Sequence, residues 1–210
     1  MTDTRMTDTR EPRRPGSLTL SRRSLVAAVA ALITLTGKAR PMAAETGRDL
    51  DPENTLFMDL PAGRVTIALR PDLAPNHVER IKTLTRQGFY DGVVFHRVIE
   101  GFMAQTGDPT GTGTGGSDLP DLKAEFSDPG TAQHVRGTCS MARTQNPNSA
   151  NSQFFICLAD VPHLDGQYTI WGQVTDGMDA VDAIKTGASA RNGKVDDPDS
   201  IIRMWVAADG

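Results

Sequence analysis

Cysteine is scarce: Cys139 and Cys157 are the two in 210 residues, and neither belongs to a Cys-x-x-Cys pair. That spacing excludes a thioredoxin-type redox centre and a cysteine-based metal site, leaving two small core residues or, in an oxidising compartment, a disulfide. Surplus positive charge is missing as well. Lys and Arg number 22 against 26 Asp and Glu, a net charge of -4, so a phosphate-binding surface is not expected and nucleic acid is set aside as a partner. The four histidines, His77, His96, His134 and His163, show no metal-ligand spacing. Ser140 and Ser152 lack a Gly-x-Ser-x-Gly setting, which removes the serine hydrolases. No cofactor and no metal are expected.

The first ten residues are Met-Thr-Asp-Thr-Arg written twice, so Met6 is as good a start as Met1. Arg22-Arg23 then stands directly before a mostly apolar run to Leu35, the order of charged and apolar regions in an export signal. It resembles a twin-arginine signal. The run is shorter than the roughly 20 residues that span a bilayer. Met42-Ala43-Ala44 approximates the small-x-small cleavage rule, and retention of the segment as a membrane anchor stays open. The expected division is a signal-bearing extension over 1–44, a polar linker over 45–53 and one domain over 54–210, made as a cytoplasmic precursor and exported to the periplasm or beyond.

Within the domain, Thr55 to Leu60 and Arg64 to Arg70 alternate apolar and polar residues around Pro61-Ala62-Gly63, a β-hairpin pattern. Pro75 opens a segment with Val78, Ile81 and Leu84 at helical spacing, and Gly88 stops it. Pro109 to Leu119 is rich in glycine, but no helix opens behind it as a dinucleotide fingerprint requires. A mobile loop is expected there, tight enough for an extended peptide to lie alongside. Further strands are expected over 137–142, 152–158, 168–174 and 201–206, with a short helix after Gly177. Many short strands and two helices form the pattern of a closed barrel with helical caps.

The organising stretch is Phe95 to Asp108, Phe-His-Arg-Val-Ile-Glu-Gly-Phe-Met-Ala-Gln-Thr-Gly-Asp. Two strand-like runs, 93–99 and 102–106, meet at Glu100-Gly101. Strand alternation puts Phe95, Arg97 and Ile99 on one face, with His96 and Val98 behind them. Arg97 therefore projects among hydrophobic groups, and Gln105 is the polar companion within reach.

Together with Cys139-Ser140-Met141-Ala142, Ser152-Gln153-Phe154-Phe155-Ile156 and Leu164-Asp165-Gly166, this stretch resembles the cyclophilins over roughly 54–209. The resemblance implies a mainly β fold, a closed eight-stranded antiparallel β-barrel capped by two α-helices, and peptidyl-prolyl cis-trans isomerase activity on proline-containing peptides and unfolded proteins. It carries the catalytic arginine onto Arg97, the proline pocket onto Phe102, Met103, Gln105, Phe155 and Leu164, and the adjoining peptide groove onto Ala142 and Gln153. Arg143, His163 and Tyr168 complete the substrate-binding set: Arg143 stands where many members carry Asn, in a loop resembling the Met-Ala-Arg-Thr-Gln variant of bacterial members, while His163 and Tyr168 stand where many carry Trp and His, which implies weak cyclosporin binding at most. A monomer is expected. The rival from another class is a noncatalytic proline-peptide-binding or chaperone module using the same groove.

Overall fold

A computed structural model describes residues 51–210. The terminal repeat, the arginine pair and the cleavage region lie outside the described residues. The first hairpin is as expected: β1 (Thr55–Leu60) and β2 (Gly63–Leu69) pair antiparallel, with Leu60 opposite Gly63 across Pro61-Ala62. Leu56, Met58 and Leu60 from β1 and Val65, Ile67 and Leu69 from β2 enter the main core. Helix α1 (Pro75–Arg86) carries Pro at its first position, where a missing N–H costs nothing, and buries Val78, Ile81 and Leu84. Gly88 follows at φ 68°, the left-handed conformation that ends a helix without steric cost.

Six more strands follow: β3 (Arg97–Ile99), β4 (Met103–Thr106), β5 (Thr138–Met141), β6 (Phe154–Cys157), β7 (Ile170–Asp176) and β8 (Arg203–Val206). The short α2 (Met178–Asp182) separates the last two. All eight form one antiparallel sheet in the order β3-β4-β6-β5-β7-β2-β1-β8. The register shifts between Thr66 and Ile67 and between Cys139 and Ser140, and irregularities of this kind bend the strands that carry them.

The expected closed barrel is corrected to an open half-barrel, with β3 and β8 as unpaired edges. The physical reason lies in the seam. Gly92 N donates to Ile201 O (2.7 Å), Ile201 N to Val93 O (2.9 Å) and Phe95 N to Asp199 O (2.9 Å), but these bonds come from irregular chain and build no ladder between β3 and β8. The free edge of β3 is covered instead by the loop over 187–195, where Val98 N donates to Gly193 O (2.8 Å) and Val195 N to His96 O (3.1 Å).

The sheet has apolar groups on both faces. Along β6, Phe154 and Ile156 enter the main core while Phe155 and Cys157 join a second cluster with Met103, Val161 and Leu164. Cys139 belongs to the first cluster and Cys157 to the second, both as free thiols, so the disulfide alternative falls away. Burial pushes the Cys157 thiol up to about 12 and raises that of Cys139 well above its usual value.

Candidate active site

The second cluster is where the sequence-derived site residues gather. Antiparallel register sets Arg97 of β3 directly opposite Gln105 of β4, and Gln105 opposite Phe155 of β6. Arg97 Nη1 donates to Gln105 Oε1 at 3.1 Å. Gln105 Nε2 donates in turn to Gln153 Oε1 (2.9 Å), and Gln153 Nε2 to Gly115 O (2.8 Å) and Gly113 O (3.2 Å). The glycine-rich loop is thereby tied to the arginine through two glutamines.

The other side of Arg97 is held by a residue that the sequence reading missed. Asn192 accepts from Arg97 Nε at its backbone oxygen (3.0 Å) and from Nη2 at Oδ1 (3.0 Å). Its φ of 53° makes it the one non-glycine residue in the left-handed region among the described residues, a conformation asparagine tolerates better than most. The guanidinium is therefore fixed from both sides. Partial burial lowers its pKa from the ordinary arginine value, but an arginine remains charged at physiological pH.

Arg97, Phe102, Met103, Gln105, Phe155 and Leu164 line one cavity of about 110 Å³, together with Ala142, Arg143 and Tyr168. Met103, Phe155 and Leu164 are buried and Phe102 is half-buried, which makes the floor apolar. Gln153 lies outside this cavity, in an adjoining groove of about 470 Å³ that it shares with Gln105, Ala142, Arg143 and the loop over 113–117. His163 does not enter the cavity. It is exposed, its ring 5.7 Å from that of Phe102 at the rim. Arg143 bridges two loops: Nε and Nη2 donate to Gln167 O (3.1 and 2.8 Å), Nη1 donates to Thr144 O (2.9 Å), and the guanidinium carbon lies 4.4 Å from the Tyr168 ring centroid.

Behind the floor, the His134 ring stacks on Phe155 with centroids 6.3 Å apart. Its Nδ1 bonds Asp165 Oδ1 (2.9 Å) and its Nε2 meets Ser140 Oγ (3.1 Å). The order Asp, His, Ser imitates a hydrolase triad, but Ser140 is wholly buried and its hydroxyl donates to Thr169 O at 2.9 Å, so the array braces the pocket wall. Burial depresses the His134 pKa against the pull of Asp165. No motif in the sequence connects His134, Asp165 and Ser140: Ser140 lies on β5, whereas His134 comes from the loop before it and Asp165 from the turn after Leu164, and the His134 backbone N–H donates to Asp165 Oδ1 at 2.7 Å. His96, expected to support Arg97 from behind, is buried beside the loop. A Cβ placed on Gly113 would come 3.4 Å from its ring. Among the described residues, no three His, Cys, Asp or Glu side chains converge as a metal site.

One correction concerns Phe95. It does not share a face with Arg97. Phe95 and Val98 both enter the main core, while Ile99 packs on the second cluster with Arg97. Regular alternation begins at Arg97, because the chain before it makes an isolated bridge at Val94 and no continuous strand.

Comparison with known proteins agrees with this geometry. The family model described as cyclophilin type peptidyl-prolyl cis-trans isomerase/CLD matches residues 55–206. A Brucella suis protein named "Probable peptidyl-prolyl cis-trans isomerase" is 56% identical over 178 residues, covering 80% of this chain and 89% of that protein. Among solved structures, the cyclophilin AquaCyp293 from Hirschia baltica matches with a TM-score of 0.68 at 29% identity, over 77% of this chain and 76% of its own. A Cryptosporidium parvum cyclophilin type peptidyl-prolyl cis-trans isomerase, crystallised in the presence of the dipeptide Ala-Pro, matches with a TM-score of 0.66 at 28% identity, over 72% and 98%. With the family model spanning most of the chain and the curated relative aligned over four-fifths of it, the chain belongs to the cyclophilin-type peptidyl-prolyl cis-trans isomerases.

Proposed function

We propose that the site accelerates rotation about X-Pro peptide bonds in unfolded segments of exported proteins, with Arg97 as the catalytic group. The observation that carries this reading is one guanidinium, fixed by Gln105 and Asn192, at the wall of a cavity whose apolar floor is formed by Phe102, Met103, Phe155 and Leu164.

Amide resonance holds the peptide bond planar behind a barrier of about 18–20 kcal/mol, and X-Pro bonds cross it unaided in tens to hundreds of seconds. No covalent bond is made or broken in the crossing. The catalyst needs neither nucleophile nor metal, only tighter binding of the twisted amide than of the planar one. In the twist the prolyl nitrogen loses conjugation and regains a lone pair. Arg97 donates a hydrogen bond to that nitrogen, an interaction largely absent from the planar state, and the low dielectric of the cavity strengthens it. The apolar floor seats the proline ring. Gln105 and Asn192 hold the guanidinium in place before substrate arrives, so little reorganisation is needed as the amide twists.

Removing one preorganised donor to a transition state typically costs about 10²–10³ in rate. Arg97→Ala should therefore lose about that factor in kcat/KM for a short X-Pro peptide, measured by cis-to-trans relaxation. A purified domain that binds proline peptides without speeding exchange would favour the noncatalytic binding module instead. Export belongs to the same proposal and rests on Arg22-Arg23 and the apolar run behind it. Replacing the pair with Lys-Lys should hold the protein in the cytoplasm, and undiminished export would remove the twin-arginine route.

A further inference from the structure

We propose that Arg143 makes this site selective for proline segments with a carboxylate side chain next to the X-Pro bond, an inference that rests on the isomerase reading above. Two arginines, Arg97 and Arg143, line the proline cavity, and no acidic residue lines it with them. Arg64, Arg70, Arg86, Arg136 and Arg191 each pair with a carboxylate within 4.0 Å. Arg143 instead bonds only the neutral oxygens of Gln167 and Thr144. Its charge meets no carboxylate among the described residues, in a protein whose net charge is -4. The surplus of negative charge elsewhere repels an acidic peptide, so any preference for one must come from a local cation.

The geometry of Arg143 suits that task. A guanidinium carries five N–H donors, and three are spent on the two carbonyls, which leaves one on each terminal nitrogen. Two free N–H groups on adjacent nitrogens are enough to serve the two oxygens of a carboxylate. Stacking on Tyr168 and the three bonds already immobilise the side chain, so pairing loses little further rotamer entropy. Arg143 also lines both the 110 Å³ cavity and the 470 Å³ groove, so a chain with its proline in the first and its flank in the second passes beside it. Arg97 does not compete for this role, because Asn192, Gln105 and Met103 engage four of its five donors and the remaining one, on Nη2, is left for the prolyl nitrogen. The larger groove adds one carboxylate, Asp121, which already accepts from Asn151 Nδ2 at 3.1 Å.

A residue that merely fastened the loop over 143–151 to the turn over 164–168 would affect all peptides equally when replaced. Selectivity separates the two roles. Two peptide sets are needed, with Glu, Gln or Lys at X of X-Pro in one and at the residue before X in the other. At about 20 mM salt the Glu peptide should exceed the Lys peptide in kcat/KM by about threefold or more in at least one set, and the ratio should shrink in about 0.5 M salt as the charges are screened. In Arg143→Gln the ratio should fall to about one, and Arg143→Lys should restore part of it. A wild-type ratio below about threefold in both sets overturns the proposal, as does a ratio that survives in Arg143→Gln. The Gln peptides test the isomerase reading separately. If none is turned over, dissociation constants for the same peptides give the same ratio, and the same two outcomes decide.

Discussion

Asn192 is the residue whose importance appears only in three dimensions. Asn192-Gly193 is a turn dipeptide, so its left-handed backbone is readable from sequence, but its partner Arg97 lies 95 positions away in the chain. The two acceptors can be separated experimentally. Asn192→Gly keeps the backbone carbonyl and the left-handed conformation while deleting Oδ1, which removes one hydrogen bond to a group already charged. A loss of about 1 kcal/mol of preorganisation corresponds to about fivefold in kcat. KM should stay nearly constant, because the proline floor is untouched, and the melting temperature should hardly move. An unchanged kcat would show that Gln105 and the Asn192 carbonyl suffice to aim Arg97.

At the scale of elements, the legible parts are those whose signals are local. The first hairpin and α1 follow from alternation, Pro75 and Gly88, all within a few residues of what they control. Alternation misplaces Phe95 because the chain before Arg97 is irregular, and strand count cannot report barrel closure because it says nothing about whether the edge strands meet. The glycine-rich loop is a third case. Asp108, wholly buried at its base, accepts from Thr110 N (2.8 Å), Thr112 N (3.1 Å), Gly113 N (2.6 Å) and Gly115 N (3.1 Å), as well as from Thr110 Oγ1 (2.8 Å). Those donors outweigh burial and hold its carboxyl far below the usual carboxylate range. The loop expected to be mobile is thus tethered to one carboxylate. Asp108→Ala should cost about 2–3 kcal/mol of stability and speed amide hydrogen exchange at 110–115. Gln153 bonds the carbonyls of Gly113 and Gly115, so activity should fall by several-fold although Asp108 lines neither cavity. Unaltered exchange in the loop would mean that Gln153 and Asn151 anchor it without Asp108.

For the whole molecule, the buried titratable groups set how folding responds to acid. His77, His96 and His134 are all buried, and desolvation depresses each of their pKa values. For His77 and His134 the neighbouring Glu125 and Asp165 oppose that depression without reversing it. In the unfolded chain a histidine takes its proton near pH 6.5, roughly, while the folded protein resists protonation to lower pH. The stabilising contribution is thus complete above about pH 6.5 and is lost as pH falls toward the depressed folded values. Three such groups bound the slope at about 4 kcal/mol per pH unit, reached only where all three would protonate on unfolding. Burial alone would raise Asp108, Asp165 and Glu125, but hydrogen bonds from the loop, His134 and His77 outweigh it, so their pKa values are lowered too. Their stabilisation begins to fail from about pH 5, as the unfolded carboxylates start to bind protons, and most of the loss falls below about pH 4. Melting temperature should therefore hold steady from about pH 8 to 7, decline through pH 6 and 5, and fall again below about pH 4. Replacing His96 by Gln, which has no proton to gain, should shallow the first decline and leave the second unchanged. A melting temperature that stays flat from about pH 7 to 5 would contradict the depressed histidine pKa values.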